Sequence, residues 1–578
     1  MKPLQYLVIF GVALAMYANT LGHGYVLDDK AIITQNTFTQ QGFAGIADHF
    51  THSYWFGING KDAGNYRPIS GVSFSIEHAL FGNSPFIGHL LNVLCFALLC
   101  VVLLRWLTRL KLMDDVWLYL AMLLFVAHPI HTEVVANIKS RDEIYCLLFF
   151  ALSANQFWTW LEDKKPMSML GAAILFLVAL LSKETALALL PVYMLMAYKK
   201  SERIPETIKL SITPIAVSAI FLAIYFSVTE VLLDQQYHVF DNALTQPGSA
   251  SDVLATKIWI MGEYLRLLFI PHPLVYDYSF NTIPLVSFSN FQVLLTLGAL
   301  IALIGWRIRQ FKNRGVKSEQ HHTFILALLI LPIIPVSNFL FPIGATMAER
   351  FLFIPSLGFV LLAVSGISMI LNKLALTKKI HEQVVMVLII VPMALVTFSR
   401  NGDWKSDETL FTHDLQHLNQ SAKAHHNLAN IYKAKAEKLG PGAKRVTYYE
   451  SAATLMEQAL SIYEVQEFHH ELGLIYGELG KWEGVKKSLG RYVEMNPTDA
   501  TAWMQIGIAH GISQEMDEAV LAFERAYEID PSDAEITLNL AKTYAMTNQS
   551  IEAKTLTRQG LKIHPKNKGL LELDAQLN

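Results

Sequence analysis

The sequence predicts an all-α protein in two parts: a polytopic helix bundle that spans a membrane, followed by an α-solenoid of helical repeats. Composition is the first observation, since 52% of the 578 residues are hydrophobic and only 16% are charged. An ordinary soluble domain carries about 25% charged residues. The second observation is a series of long apolar runs before residue 400. The third is a set of short amphipathic segments with a fixed period after it.

The apolar runs give the predicted spans. A helix that crosses a bilayer needs roughly 20 apolar residues, and about 17 suffice. We predict about eleven spans, at 4–21, 89–104, 116–127, 144–161, 168–181, 185–198, 210–229, 291–306, 322–341, 351–371 and 383–398. The segment 257–271 carries Lys257, Glu263 and Arg266. Because charges at membrane depth are costly, we predict a re-entrant or interfacial helix there.

The distribution of Lys and Arg predicts the orientation. With the N-terminus inside, the predicted inner loops hold 17 Lys and Arg in 54 residues, and the outer loops hold 7 in 141. The positive-inside rule favours this orientation and requires that 257–271 does not cross. Eleven crossings then place the C-terminal third of the chain on the outer face.

The C-terminal third has a period of 34 residues, which separates Pro497, Pro531 and Pro565. The consensus positions of one tetratricopeptide repeat are filled by Trp503, Gly507, Ala519, Phe523, Ala526 and Pro531. We predict a membrane domain over 1–400, a linker over 401–422 and a repeat domain over 423–578, with repeats near 423–465, 466–499, 500–533 and 534–567. Such an array forms a concave groove for a peptide or a partner protein.

Composition also excludes some classes of protein. The formal net charge of −3 gives no reason to expect a nucleic-acid partner. The three cysteines, Cys95, Cys100 and Cys146, all lie in apolar runs, so no disulfide framework is predicted.

Polar and charged residues gather in the predicted outer loops. They are Asp28, Asp29, Arg67, His128, His131, Glu133, Arg141, Lys183, Glu184, Asp277, Tyr278, Glu349 and Arg350. Charge at a membrane is costly and therefore functional by default. We predict that these residues form one site on the outer face.

Several of these groups also have a purely structural interpretation. Asp28 and Asp29 could cap a helix that begins near Ala31. Lys183 and Glu184, in a tight turn between two apolar runs, could be a solvated helix end.

The remaining groups have similar alternatives. Glu349 and Arg350 could form a structural ion pair. His128, His131 and Glu133 have the donor types of a metal site, although three such residues within six positions often bind nothing. We therefore expect no metal, with a divalent ion as the alternative.

The residue types together suggest a chemistry. Arg and Lys bind phosphate oxygens, and a carboxylate near a hydroxyl can act as a general base. Between helices open to lipid, this combination suits a sugar that is carried on a polyprenyl phosphate. The base would deprotonate an acceptor hydroxyl, and the cations would stabilise the leaving phosphate.

Eight short motifs carry a resemblance to a known family. They are Gly24–Asp29 (GYVLDD), Tyr66–Ser70 (YRPIS), His78–Gly82 (HALFG) with Asn92, His128–Glu133 (HPIHTE), Leu181–Glu184 (LSKE), Pro273–Ser279 (PLVYDYS), Ala348–Pro355 (AERFLFIP) and Arg400–Trp404 (RNGDW). In this order they resemble the transmembrane and tetratricopeptide-repeat protein O-mannosyltransferases, a branch of the GT-C glycosyltransferases. The resemblance covers nearly the whole chain.

The resemblance implies that mannose moves, with inversion, from a polyprenyl-phosphate donor to Ser or Thr of a protein held by the repeats. Asp28 or Asp29 would be the base, with Asp28 preferred and the choice left open. The donor phosphate would be bound by Arg141, Lys183 and Arg350, with Arg67 in support. Further supporting residues would be His128, His131, Glu133, Glu184, Asp277, Tyr278 and Glu349.

The short repeat array and compact loops suggest a bacterial relative in the inner membrane, with outer loops and repeats in the periplasm. In a eukaryote they would face the lumen of the endoplasmic reticulum. One alternative is a lipid-linked-sugar transferase that acts on glycan or lipid A, and another is a non-enzymatic scaffold or transporter. A transporter usually places its ionisable residues near the midplane in broken helices, whereas most of these residues lie at one interface.

Overall fold

The computed structural model describes residues 1–61, 64–229, 237–318, 320–374 and 379–578, and within these ranges every regular element is a helix. The predicted all-α fold is therefore confirmed. The described chain divides into two compact units, Met1–His417 and Leu418–Asn578. The predicted loops 230–256 and 372–382 lie partly outside the described residues.

The α-helices of the first unit, in chain order, are α1 (Pro3–Tyr17), α2 (Thr37–Gln40), α3 (Ile46–Thr51), α4 (Phe56–Asn59), α5 (Pro68–Phe81), α6 (Pro85–Leu110), α7 (Asp115–Ala127), α8 (Thr132–Ala136), α9 (Arg141–Asp163), α10 (Pro166–Ser182), α11 (Leu190–Ser201), α12 (Ile204–Leu210), α13 (Ile212–Val228), α14 (Ala250–Phe269), α15 (Phe291–Ser318), α16 (Gln320–Ile330), α17 (Phe353–Lys373), α18 (Lys379–Asp403) and α19 (Asp407–Leu415). Short 3-10 helices occupy Ala18–Gly22, Gly42–Gly45, Pro129–His131, Glu184–Leu189, Ala243–Thr245, Leu331–Val336 and Glu349–Leu352, and Lys30–Gln35 is a π-helical turn.

Several helices are long and apolar enough to cross a bilayer. Among the described residues there are six: Pro3–Gly22, Pro85–Leu110, Arg141–Asp163, Phe291–Gln310, Glu349–Lys373 and His381–Asp403. Two bent pairs raise the number to eight, each with an angle of 51° between its halves: Asp115–Ala127 with Pro129–Ala136, and Ile204–Leu210 with Ile212–Val228. The first unit is therefore a multi-pass membrane bundle.

Three predicted spans are not among these eight, and the number of spans therefore stays a prediction. The run 168–181 lies in a helix of 17 residues, which is the lower limit of length for a span. The run 322–341 leaves the α-helical conformation after Ile330, since Pro332 and Pro335 each remove a helical N–H donor. The run 185–198 begins as a 3-10 helix, and α11 is only 12 residues long.

The segment predicted to be re-entrant or interfacial, 257–271, lies in α14, an uninterrupted helix of 20 residues. It does not fold back on itself. Because of its charged residues, this helix is not one of the six long apolar helices among the described residues.

Packing separates a buried centre from a lipid-facing periphery. Of the six long spans, those formed by α6, α9 and α17 are the most enclosed, and more than half of the residues in the apolar part of each are buried. Helices α15 and α18 are much less enclosed and expose large apolar side chains such as Phe291, Leu388 and Leu395. Contiguous apolar surface of this kind marks contact with a membrane.

The second unit consists of helical hairpins. Its helices are α20 (Ala422–Glu437), α21 (Ala443–Ile462), α22 (Gln466–Glu478), α23 (Trp482–Met495), α24 (Ala500–Ile512), α25 (Met516–Ile529), α26 (Ala534–Met546), α27 (Ser550–Ile563) and α28 (Lys568–Leu577). Each predicted repeat contains one hairpin. A Cβ added at Gly507 would lie 2.8 Å from the Phe523 ring, so the small residue permits close packing of its hairpin.

The predicted linker 401–422 differs from the structure. Residues up to His417 belong to the membrane unit, and they form the end of α18 and the helix α19. Asp414 on α19 is fully buried, where it pairs with Arg400 at 2.5 Å and accepts the N–H of Tyr276 at 2.8 Å. Because these contacts hold α19 on the bundle, the boundary falls at residues 417 and 418.

Candidate active site

Side chains from three predicted outer loops meet in one ion-pair network, formed by Asp28, Arg67, Lys139, Asp142 and Glu184. The Lys139 ammonium lies 3.9 Å from Asp28 Oδ2 and 3.8 Å from Asp142 Oδ2. Arg67 donates to Asp142 at 2.7 Å and to both oxygens of Glu184 at 3.0 and 2.6 Å. The tertiary fold thus brings together charged side chains from these three loops.

Local structure explains where these charges lie. Arg67 directly precedes α5, whose first residue is Pro68, a residue that starts a helix without losing a hydrogen bond. Asp142 lies in the first turn of α9. The positive end of the helix dipole favours a carboxylate at that position.

The two adjacent aspartates have different environments. Asp29 is fully buried, and its two oxygens accept the backbone N–H groups of Val26 at 3.1 Å and Lys139 at 2.6 Å. Burial raises the pKa of Asp29 to about 7, although these N–H bonds oppose the shift. Asp29 therefore holds two loops together, and its side chain does not cap the following helix.

Asp28 has no hydrogen-bond partner among the described residues, and its side chain is 49% exposed. Its charge acts on the Arg350 guanidinium as well as on Lys139. Of the two aspartates, only Asp28 presents its carboxylate to solvent.

Lys139 is a second buried cation of the network, beside Arg67. Its side chain is 8% exposed, and neither carboxylate beside it lies within hydrogen-bond distance of its ammonium. Burial lowers the pKa of Lys139, and the Asp142 and Asp28 carboxylates partly offset that effect. Its ammonium donors are therefore available to an anion that approaches Asp28.

Arg350 lies next to this network and is partly exposed. Its NH1 donates to Glu133 Oε1 at 2.5 Å, its backbone N–H donates to Glu133 Oε2 at 2.8 Å, and its side chain is 27% exposed. The predicted alternative of an ion pair with Glu349 is therefore wrong, because Glu133 is the partner. Among the described residues the guanidinium bonds through one nitrogen only, so Arg350 retains donors for a phosphate.

Two other predicted phosphate ligands are occupied by carboxylates. Lys183 is buried and pairs with Glu143. Burial alone would lower the pKa of Arg67, but Glu184 and Asp142 outweigh it and raise the pKa above its usual range. Burial would raise the pKa of Glu184, and the Arg67 charge lowers it. The turn at 183–184 is therefore an interior ion-pair site and not a solvated helix end.

Arg141 is fully buried, and the protein itself occupies all five of its N–H donors. They bond to Asn92 Oδ1 at 2.6 Å, Ser73 Oγ at 3.3 Å, Gly88 O at 2.9 Å and both carboxylate oxygens of Glu77. The prediction that Arg141 binds the donor phosphate does not fit this structure. Arg141 instead fixes the start of α9.

The two histidines are committed to the fold. His128 Nε2 donates to Leu268 O at 2.9 Å, while its Nδ1 accepts the N–H of Ile130 at 3.2 Å. His131 Nε2 bonds to Ser356 Oγ at 2.7 Å inside a group of phenylalanine rings. Among the described residues, no group of three His, Cys, Asp or Glu is placed to hold a metal ion.

The remaining predicted residues form a separate buried cluster. Glu349 Oε1 accepts the Tyr278 hydroxyl at 2.8 Å and the Val275 N–H at 2.5 Å. Asp277 accepts the Ser279 hydroxyl at 2.9 Å. This cluster holds the loop around residue 277 against the start of α17 and is not part of the ion-pair network.

Sequence reasoning left some network members without a role. Lys139, Asp142 and Glu143 lie in a loop whose charged residues are evident in the sequence. The sequence does not show which of these side chains are paired in the fold. Glu77, the partner of Arg141, sits beside a recognised motif. Asp407, which accepts the Leu27 N–H at 2.8 Å, has no local signal because 380 positions separate the two residues.

The fold and this site define a multi-pass membrane protein with an ionic site in its loops and a tetratricopeptide-repeat unit at its C-terminal end. The model of the tetratricopeptide repeat family matches residues 513–577. The solved structure of YrrB, a tetratricopeptide-repeat protein, is 23% identical with a TM-score of 0.26, and the match covers 32% of this chain and 90% of that one.

The chain resembles proteins named protein O-mannosyl-transferase. It is 28% identical over 454 residues to TMTC3 of Mus musculus, a match that covers 73% of this chain and 48% of that protein. It is 26% identical over 543 residues to TMTC2 of Homo sapiens, with 77% and 62% covered. It is 27% identical over 434 residues to F38B6.6 of Caenorhabditis elegans, with 74% and 59% covered. The chain thus spans about half to three-fifths of the length of these curated relatives.

Proposed function

We propose that this protein is a membrane glycosyltransferase that moves a sugar, which we take to be mannose, from a polyprenyl-phosphate donor to Ser or Thr of a protein. The resemblance to proteins named protein O-mannosyl-transferase supports the class of reaction. The single observation that carries the assignment to this site is the Asp28 carboxylate. Among the described residues it has no hydrogen-bond partner, and it is half exposed and 3.9 Å from a buried ammonium.

Asp28 is the general base in this proposal. It accepts the proton of the acceptor hydroxyl as the hydroxyl oxygen attacks the anomeric carbon of the sugar. The bond from that carbon to the phosphate oxygen breaks, and the configuration at the carbon inverts. Asp29 supports the loop, because both of its oxygens are already occupied by backbone N–H groups.

Lys139 and Arg350 bind the donor phosphate. Both flank Asp28, and both retain N–H donors that the described residues do not occupy. They stabilise the negative charge that the phosphate gains as the sugar leaves. In this proposal Arg67, Lys183 and Arg141 do not contact the phosphate, since each is already paired with a carboxylate. They support the site indirectly.

The compartment and the acceptor complete the proposal. The excess of Lys and Arg in the predicted inner loops places the site and the repeats on the outer side of the membrane. In a bacterium this side is the periplasm and the carrier is undecaprenyl phosphate. A tetratricopeptide solenoid presents a concave surface, which we assign to the protein acceptor.

The test is sugar transfer by the purified full-length protein in detergent, from synthetic mannosyl-phosphoryl polyprenol to Ser- and Thr-containing peptides. Asp28→Asn should lower kcat by about 10²- to 10⁴-fold, the usual contribution of a general base, with little change in KM for the donor. Arg350→Ala and Lys139→Met should raise the donor KM and also lower kcat, because both cations bind the phosphate and stabilise the charge that it gains. The matched control is Asp48→Asn, which removes another carboxylate from the same predicted loop.

Two results would contradict the proposal. One is transfer by Asp28→Asn at the rate of the wild type. The other is an absence of transfer by the wild type from a panel of polyprenyl-phosphate sugars, when thermal unfolding shows the protein to be folded.

A further inference from the structure

The helix α19 reaches the loop that carries Asp28. Its first residue, Asp407, is 8% exposed and accepts the backbone N–H of Leu27 at 2.8 Å through Oδ1. Its second oxygen pairs with the Lys30 ammonium. One carboxylate therefore binds the chain on both sides of Asp28.

Leu27 needs this contact because of its backbone conformation. Its φ is 52°, in the left-handed region, which is sterically unfavourable for a residue with a side chain. The turn is closed by the Asp29 N–H, which donates to Val26 O at 3.2 Å. Strained residues persist only where the surroundings fix them, and they cluster at functional sites.

The helix itself is firmly attached to the membrane unit. Asp414, near its C-terminal end, is fully buried against Arg400 and accepts the Tyr276 N–H at 2.8 Å. Before the helix, Lys405 O accepts the Gly24 N–H at 3.1 Å. Asp407 therefore projects from a helix that is anchored before its first residue and near its last.

We propose that Asp407 is a positioning residue for Asp28. It holds Leu27 in the left-handed conformation, and this conformation sets the unbonded Asp28 carboxylate beside Lys139. The inference rests on the proposed function, in which Asp28 is the general base. It predicts an effect on the chemical step and not on donor binding, since Asp407 does not touch the phosphate-binding cations.

Three substitutions separate the two contacts of Asp407. Asp407→Ala removes both, and Lys30→Met removes only the ion pair. Asp407→Asn keeps an acceptor for the Leu27 N–H while losing the charge. Asp407→Ala should lower kcat at least about 10-fold, since a misplacement near 1 Å can cost about 10²-fold. The donor KM should stay within about twofold, Lys30→Met should be near wild type, and Asp407→Asn should restore most of the rate.

A second-site substitution tests the role of the strained turn. Glycine adopts positive φ without the steric cost that leucine meets. Leu27→Gly in the Asp407→Ala background should therefore recover part of the lost kcat. Thermal unfolding of every variant shows whether a lower rate reflects a smaller folded fraction.

The outcomes are distinct. Wild-type kcat in Asp407→Ala, while Asp28→Asn is inactive, overturns the positioning role and leaves the proposed function intact. A loss of kcat that follows the folded fraction, with no recovery by Leu27→Gly, also overturns it. If the wild type transfers no sugar from any donor, the proposed function fails and the positioning role fails with it.

Discussion

Arg141 offers the sharpest test of how the site is built, because sequence and structure assign it different roles. The substitution is Arg141→Met, which keeps an unbranched apolar chain and removes the guanidinium. The structure predicts a loss of stability and no direct loss of phosphate binding. The sequence pattern alone predicts a loss of donor binding.

The magnitude follows from the contacts. Removing Arg141 leaves the Glu77 carboxylate, which is 14% exposed, without its partner. It also leaves Asn92 Oδ1 and Gly88 O without the bonds of 2.6 and 2.9 Å that they receive from it. Breaking a buried ion pair on one side costs about 3–5 kcal/mol. We expect the free energy of unfolding to fall by that amount.

The assay is equilibrium unfolding of the full-length protein in mixed detergent micelles. The double variant Arg141→Met/Glu77→Leu should recover more than half of the loss, because it removes the unpaired charge as well. Arg109→Met is the matched control. Arg109 pairs with Glu162 at a more exposed position, so its loss should cost less than about 1 kcal/mol.

A single result would refute this reasoning. If Arg141→Met unfolds like the wild type but shows a strongly raised donor KM, Arg141 is a phosphate ligand and its contacts in this structure do not describe the working enzyme.

Two further predictions concern stability. The pKa of Asp29 is about 7 in the fold against 3.8 in the unfolded chain, so its contribution to stability is complete below about pH 4 and is lost as pH rises to about 7, by at most about 4 kcal/mol. Unfolding of the wild type and of Asp29→Asn between pH 4 and 8 measures this difference. In the repeats, Gly507→Ala places a Cβ 2.8 Å from the Phe523 ring and should destabilise by about 1–3 kcal/mol. Gly511→Ala on the same helix meets nothing within 4 Å and should be neutral or slightly stabilising.

The outcomes that contradict these two predictions are simple to recognise. Parallel pH profiles for the wild type and Asp29→Asn would mean that Asp29 does not titrate between pH 4 and 7. Equal thermal unfolding of the two glycine variants would mean that α24 and α25 do not pack as closely as described.

Sequence reasoning succeeded where the physical signal is periodic or local. The 34-residue period places one helical hairpin in each of the four predicted repeats, because each hairpin must bury the same apolar face against its neighbour. Apolar length identified six long helices among the described residues. It did not show where proline or 3-10 geometry interrupts a helix, since hydropathy does not register the missing N–H of Pro332.

The roles of the individual charged residues were harder to predict from the sequence. Several motifs lie in the loops that form the ion-pair network, yet Arg141, Lys183 and Arg350 have equal standing in the sequence. Only the structure separates them, because the availability of a cation depends on which carboxylates the fold places beside it. Arg350 retains N–H donors that the described residues do not occupy. Arg141 is paired with Glu77, and Lys183 is paired with Glu143.

The sequence by itself determined that the chain is a membrane helix bundle followed by a repeat solenoid, and that its charged motifs lie in the predicted outer loops. The tertiary structure decided that Asp29 is a buried anchor and Asp28 a free carboxylate, although the two are neighbours of identical chemistry. The physical reason is that the backbone N–H groups of Val26 and Lys139 and the carboxylate of Asp407 fix that turn. Contacts between residues more than 100 positions apart leave no pattern in the sequence around either one.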